Sequence, residues 1–314
     1  MIPLAEIEAA RERLAGRVLR TPLVRLRHDG DREIHLKLEN LQPIGSFKLR
    51  GASNAVLQIP LDKLQAGVVT ATAGNMGQGV AWIARELGVP CTVVVPDHAP
   101  ETKLDAMARL GARIDKVEYD RWWEALESSS YPETEGVFIH PVQDERVMAG
   151  NGTIGLELLE DLPAPDAVLV PFGGGGLSVG IASAVKALRP EARVYAVEPE
   201  PGAPLTAAFA SGEPEPIDYR PSFVDGAGAP MVLPEMWPRA REALDGAFAV
   251  SLDETAAAVR LLAERARVVA EGAGALALAA ALAGHGGDGR VVCIVSGGNI
   301  DAAKLATILA GQTP

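Results

Sequence analysis

Cysteine is nearly absent from this chain. Its 314 residues include two, Cys91 and Cys293, each inside an apolar run. Neither belongs to a CxxC pair, so a disulfide framework and a thiolate metal site have no support, and both read as plain buried thiols. No apolar run reaches the ~18 residues of a membrane helix; the richest, 273–284, is too short. Met1 is followed by Pro3, Glu6 and Glu8 where a secretory leader would be basic and then apolar, so a cytoplasmic protein without a signal peptide is expected. Positive charge is scarce, with 29 Lys and Arg against 41 Asp and Glu and a net charge of −12. Such a surface repels phosphate backbones and anionic lipid, so neither nucleic acid nor membrane is an expected partner. An anionic ligand must be held locally, against the global field.

Nucleotide-binding fingerprints are missing too. Reading G-x-G-x-x-G from Gly173 puts Ser178 at the third glycine, and reading it from Gly174 puts Val179 there. No Gly-Lys-Ser/Thr follows either glycine run, so a P-loop is out. Glu198 does stand at the end of the next β-rich run, where a ribose-binding carboxylate would sit, and keeps a nicotinamide cofactor as a minor alternative.

What is present is an ordinary globular mixture, 48% hydrophobic and 22% charged, long enough for roughly two domains of about 150 residues. Short β-rich runs recur at 34–38, 67–72, 91–96, 113–117, 137–140, 167–171, 193–198 and 290–295. Helical periodicity fills several of the gaps, at 75–87, 101–110, 177–188 and 253–266, the last read as opening on an Asp253 cap. Strand, helix, strand spacings of about 25 residues predict right-handed crossovers in a parallel sheet. Two glycine-rich strand-to-helix turns, 72–79 and 171–178, suggest two sheets, each presenting a helix N-terminus to a shared crevice. Residues 199–238, rich in Pro, Gly and acid, read as a long surface excursion with one short helix, with a mobile insertion as the plainer alternative.

Four stretches carry chemistry. Gly173, Gly174, Gly175 and Gly176 follow an apolar run and open a helix, so bare N–H groups and a helix dipole converge on a phosphate-sized guest. A tight turn alone would need one or two glycines. Lys48 lies in Ser46-Phe47-Lys48-Leu49-Arg50-Gly51-Ala52, with Ser46 read as the cap of a helix starting near Phe47. A lysine in the first turn of a helix, among apolar neighbours, loses its proton readily, as an imine-forming lysine must. Thr72-Ala73-Gly74-Asn75-Met76 offers N–H groups to a carboxylate and the Asn75 amide to a phenolate-like oxygen, although a helix-capping Asn explains it nearly as well. Ser296, after another apolar run, has a hydroxyl for a ring nitrogen. A phosphate cradle, an amine nucleophile, an oxygen donor and a ring-nitrogen partner together match pyridoxal 5′-phosphate, an electron-sink cofactor.

In their order along the chain, these motifs, with Gly150-Asn151-Gly152-Thr153 and Glu271-Gly272-Ala273-Gly274, resemble the serine/threonine dehydratases of the fold-type II pyridoxal-phosphate enzymes. The resemblance implies an α/β fold of two open, mostly parallel sheets flanked by helices, with the cofactor in the interdomain cleft. It implies a large domain of residues 1–60 and 145–314 and a small one of 61–144 that carries the substrate-carboxylate loop. Lys48 resembles the Schiff-base lysine, Phe47 the residue beside the cofactor ring, and Asn75 the contact to its hydroxyl. Gly173, Gly174, Gly175, Gly176 and Leu177 resemble the phosphate loop, and Ser296 the pyridine-nitrogen partner. Gly226 and Glu271 are similar to pocket-lining residues, and Thr72, Ala73, Gly74, Asn75 and Met76 to the substrate-carboxylate loop. The activity implied is β-elimination from a 3-hydroxy amino acid such as L-threonine or L-serine, giving a 2-oxo acid and ammonia, in a homodimer. An amino-acid racemase and a β-replacement synthase of the same fold are the alternatives.

Three departures bear on this. Related racemases carry Ser before the Gly-Asn, as an acid/base on the second face of the substrate; Ala73 has no such group. Met76 stands where His is common. Glu198 lacks a second carboxylate at Pro204, so no metal site is expected. The chain also ends at Pro314, which leaves no room for the C-terminal regulatory domain of biosynthetic relatives.

Overall fold

In the computed structural model, residues 1–72, 74–99 and 101–314 are described. In chain order the elements begin with α1 (Leu4–Leu14), β1 (Leu23–Arg25), β2 (Glu33–Leu38), α2 (Lys48–Val56), α3 (Leu61–Leu64), β3 (Val68–Ala71) and α4 (Asn75–Leu87). Next come β4 (Cys91–Pro96), α5 (Glu101–Arg109), β5 (Arg113–Val117), α6 (Tyr119–Ser128), β6 (Val137–Phe138), α7 (Glu145–Asp161), β7 (Ala167–Pro171) and α8 (Gly176–Leu188). The chain closes with β8 (Arg193–Pro199), α9 (Pro204–Ser211), α10 (Met236–Ala243), β9 (Gly246–Val250), α11 (Leu252–Leu261), α12 (Gly272–Leu282), β10 (Arg290–Val295) and α13 (Ala302–Leu309).

The strands form a six-stranded sheet in the order β1-β2-β10-β7-β8-β9 and a four-stranded sheet in the order β5-β4-β3-β6. Among the described residues every strand pairing is parallel except β1 with β2 at one edge. The expected α/β architecture of two mostly parallel sheets is therefore present. The central strands are buried on both faces, which is why β4, β7 and β10 read as unbroken apolar runs. Helices α7 and α8 seal one face of the larger sheet, and α11 and α12 the other. Helix α12 is apolar all round because it is buried all round. Each Leu so buried contributes about 1.5–3 kcal/mol.

Several sequence expectations need correction. Ser46 caps nothing: α2 begins after Phe47 without a side-chain cap, and the Ser46 hydroxyl is buried without a partner. Its backbone bridges to Gly297 instead. The helix expected over 253–266 is capped by Ser251 and Glu254 in a capping box, and its last turn, Leu262–Ala266, is π-helical. The 199–238 excursion is no loose insertion: it carries α9 and buries Phe223, Val224 and Val232.

Helix α7 shows how glycine directs packing. A Cβ at Gly150 would lie 2.5 Å from the Arg50 carbonyl oxygen, and one at Gly155 would lie 2.8 Å from Ala184 Cβ. Bare backbone there lets α7 sit directly against α2 and α8. This spacing places α2, the lysine-bearing helix, between the two sheets: its Ala52, Ala55 and Val56 join the core of the smaller one.

Candidate active site

In parallel sheets the loops after the strands gather on one side. Here the segments after β2, β7 and β10 and those after β3 and β6 line a single cavity of about 290 Å³. A smaller cavity of about 50 Å³ adjoins it, walled by Gly173, Gly174, Gly175, Gly176 and Leu177. Lys48, Phe47, Gly226, Ala273 and Ser296 border both.

Lys48 is the first residue of α2. The backbone before it is stitched to the segment after β10: Phe47 N–H donates to the Ser296 carbonyl at 3.0 Å, and Gly298 N–H to the Gly45 carbonyl at 2.8 Å. The Lys48 Nζ donates to the Pro141 carbonyl at 3.0 Å and lies 5.3 Å from the Phe47 ring centroid. Burial pushes its pKa down to about 8. Among the described residues a single carbonyl holds the ammonium and no carboxylate pairs with it, so the neutral amine is within easy reach at working pH. His140 stays neutral beside it: burial first, then the Lys48 charge, pushes its imidazole down to about 4. Its Nδ1 accepts from the N–H groups of Val142 and Gln143 at 3.0 and 2.8 Å. This ties down the turn that supplies the Pro141 carbonyl.

The four glycines serve different needs. Gly175 caps α8 with φ +98, a backbone that side chains resist. A Cβ at Gly174 would fall 2.5 Å from Val142, and one at Gly176 would fall 3.0 Å from the Val142 carbonyl oxygen. The loop therefore presents bare backbone at the N-terminus of a 13-residue helix, an anion-binding arrangement.

Asn75, the first residue of α4, donates to Glu271 at 2.6 Å and accepts from Asn299 at 2.9 Å. Glu271 is fully buried, and burial raises its pKa despite the nearby Lys103 ammonium. Lys103 donates to Asp225 at 3.0 Å and lies 3.7 Å from Glu271. Asn75, Glu271, Lys103 and Asp225 thus form one chain of contacts from the smaller sheet's helices to the larger sheet's loops. The Ser296 hydroxyl, buried at the end of β10, lies 3.5 Å from the Ala273 carbonyl.

The structure gathers Phe47, Lys48, Thr72, Gly74, Asn75, Met76, Gly173, Gly174, Gly226, Glu271 and Ser296 on the larger cavity, and Gly175, Gly176 and Leu177 on the smaller. Ala73 lies outside the described residues. Glu198 is elsewhere: it accepts from the N–H groups of Leu205 and Thr206 and from the Thr206 hydroxyl at 2.7–3.0 Å, capping α9. Sequence reasoning missed Lys103, His140, Pro141 and the wall of Trp122, Trp123, Leu126, Met231 and Leu233. Lys103 was findable, since it lies in the first turn of the helix after β4, as Asn75 does after β3.

Comparison with known proteins agrees with this geometry. Residues 14–297 match the family model described as "Pyridoxal-phosphate dependent enzyme". The chain is 40% identical to the L-threonine ammonia-lyase of Thermotoga maritima over 98% of its own length and 78% of that protein's. Among solved structures, a threonine deaminase from T.th. superposes with a TM-score of 0.88 at 37% identity, covering 95% of this chain and 98% of that one. Serine racemase from Dictyostelium discoideum superposes with a TM-score of 0.87 at 34% identity, covering 96% of this chain and 99% of that one.

Proposed function

We propose, from the premise that this chain belongs to the pyridoxal-phosphate dependent enzymes, that it removes water from a 3-hydroxy amino acid such as L-threonine or L-serine and releases a 2-oxo acid and ammonia. Its cofactor is pyridoxal 5′-phosphate. The residues present suit that group. The amine at 48 is poised to be neutral, the 173–176 backbone leaves room that a Cβ would fill, and the Ser296 hydroxyl faces the space between them.

In this reading Lys48 would hold the aldehyde end, the N–H groups of Gly173 to Leu177 the phosphate, Ser296 the ring nitrogen and Asn75 the ring oxygen, with Phe47 beside the ring. When bound, the cofactor supplies a conjugated sink for charge left on the substrate α-carbon. Lys48 Nζ, released by the incoming substrate amine, takes the α-proton as general base. The α4 N-terminus, with Thr72, Gly74, Asn75 and Met76, orients the substrate carboxylate. Ser296 is neutral and brings no positive charge to the ring, which favours prompt loss of the β-hydroxyl over a long-lived carbanion. Position 73 carries Ala, which has no group to return a proton from the opposite face, so elimination is favoured over racemisation.

The observation that carries the proposal is that the Lys48 amine and the glycine loop share one cavity with the Asn75 helix terminus. We place the cleft between residues 1–60 with 145–314 and residues 61–144; each sheet has its own core, and Ala52, Ala55, Val56, Ile59 and Val147 cross this boundary to join that of the smaller one. Closure across it would exclude water. A homodimer in the cytoplasm completes the proposal, with size-exclusion chromatography and cell fractionation as its tests. Protein loaded with cofactor is expected to form 2-oxo acid and ammonia from L-threonine or L-serine, and Lys48→Ala to retain no covalently bound cofactor and negligible turnover. Near-normal ammonia release by Lys48→Ala refutes the assignment.

A further inference from the structure

The two ends of the larger cavity differ in chemistry. Beside the polar Lys48, Asn75, Lys103, Asp225 and Glu271, its lining includes an apolar set of Met76, Trp122, Trp123, Leu126, Met231 and Leu233. Met76 is fully buried, whereas Trp122, Trp123 and Leu126 on α6 are half-buried and turned to the space. Trp122 and Leu126 also pack into the core of the smaller sheet, which anchors their helix beside the cavity. Tyr119, Trp122 and Trp123 form an aromatic cluster with ring centroids 5.5–6.3 Å apart. Aromatic rings join such clusters edge to face at about 4.5–7 Å.

The charged lining at this end is already matched. Lys103 lies between Asp225 at 3.0 Å and Glu271 at 3.7 Å. Among the described lining residues no lysine or arginine is left free here for a carboxylate on the substrate side chain. A methyl or hydrogen on the substrate β-carbon would leave the indoles and Met231 facing water.

We propose that the substrate of this site is a 3-hydroxy amino acid whose β-carbon bears a bulky apolar group, an aryl ring above all, with Trp123 as the residue that sets the preference. The proposal rests on the β-elimination reading and narrows it. For 3-phenylserine the α-proton goes to Lys48 Nζ, and the Cβ–O bond breaks with loss of water, which leaves a carbon–carbon double bond. The enamine then takes up water, so phenylpyruvate and ammonia together hold every atom of the substrate. Burying a phenyl ring in place of a methyl group corresponds to about a tenfold to hundredfold gain in kcat/KM.

The holoenzyme is assayed for 2-oxo acid with L-threonine, L-serine, 3-hydroxyaspartate and both diastereomers of 3-phenylserine. The expected result is a kcat/KM for one 3-phenylserine isomer at least about tenfold above that for L-threonine. Binding is read separately from protein fluorescence, with L-phenylalanine and L-alanine, which have no hydroxyl to lose. Phenylalanine is expected to bind tighter by a similar factor. Trp123→Ala should collapse both preferences toward unity, and Trp123→Phe should restore them, which a merely structural tryptophan would not do. If Trp123→Ala does not fold, Met231→Ser gives the same reading from another residue of that apolar lining. A preference for threonine, with phenylalanine binding no tighter than alanine, overturns the substrate class and leaves the elimination reading intact. Tight phenylalanine binding without 2-oxo acid from any substrate overturns the elimination reading, and this proposal with it.

Discussion

Replacing Arg50 with methionine should destabilise the protein strongly at neutral pH and much less in mild acid. Arg50 is 1% exposed. Its guanidinium donates to Glu39 at 2.8 and 2.9 Å, to Glu157 at 2.7 and 2.9 Å, to the Thr153 hydroxyl at 3.1 Å and to the Leu19 carbonyl at 3.0 Å. Lys37, also fully buried, donates to Glu157 at 2.6 Å. Two cations face two carboxylates, so the cluster is neutral. Methionine keeps the stem's volume but leaves two buried carboxylates to one lysine. Breaking a buried pair in this way costs about 3–5 kcal/mol, or roughly 6 to 20 °C in Tm. In the native protein burial raises the Glu39 pKa, but the Arg50 charge outweighs it and holds the carboxyl below its usual value. That contribution is present above the unfolded pKa and is lost as pH falls through the folded one. In the variant only the Thr21 hydroxyl and the Lys37 charge still oppose burial, so the Glu39 carboxyl rises and protonation relieves the strain. The gap in Tm should therefore narrow between pH 7.5 and 5 in a thermal-melt series. A gap unchanged across that range, or below about 2 °C at pH 7.5, would refute the reasoning. Because α2 turns about 100° per residue, Arg50 faces the core while Lys48, two residues earlier, faces the cleft. The variant should therefore also loosen the lysine and slow turnover.

Three further outcomes follow from other parts of the structure. Gly174→Val would set a branched side chain against Val142; affinity for pyridoxal 5′-phosphate should fall by more than about tenfold, and affinity for pyridoxal, which has no phosphate, should fall less. Equal losses for the two would place the damage outside the phosphate cradle. With its pKa lowered to about 8 by burial, the Lys48 amine of cofactor-free protein should capture pyridoxal at a rate that climbs through pH 8 and then levels; a rate still climbing toward the ordinary lysine value would show a solvated amine. Burial raises the Glu198 carboxyl to about 7. The folded state therefore gains stability from a protonated Glu198, an advantage lost as pH rises from the unfolded carboxyl range through 7. Glu198→Gln should accordingly gain in Tm relative to the native protein between pH 5 and 8, and a constant difference would contradict the burial account.

The fold was legible wherever burial left a mark on a single strand. Strands β3, β4, β7 and β10 are buried at nearly every position, and their Val-rich runs say so directly. Edge strands carry no such signature. β1 has three residues, and β9, Gly246–Val250, is mostly half-buried with small side chains, so neither was expected. Helix α7 was hidden by its own glycines, Gly150, Gly152 and Gly155, which mark a motif in the sequence and a close helix crossing in space. The Ser46 cap failed for a related reason. Serine before a helix is a good local rule, but the segment before α2 is taken up in a bridge to Gly297, a partner 251 positions away that only the closed sheet supplies.

The same distinction runs through the site. Its floor could be read because the requirements are local: four glycines in a row, or a lysine opening a helix, constrain chemistry whatever surrounds them. Its wall could not, because Trp122 and Trp123 on an amphipathic helix look like core residues until the cavity shows what lies opposite. Lys103 could be placed by its position in the first turn of a helix, but its partners could not, since Asp225 and Glu271 lie 122 and 168 positions further along the chain. These cross-cleft contacts are polar, and so are those of Asn75 with Glu271 and Asn299. Such contacts are directional and need matched partners rather than a continuous apolar surface. Polar partners scattered along the chain leave no hydrophobic pattern in the sequence, which is why these contacts could not be read from it.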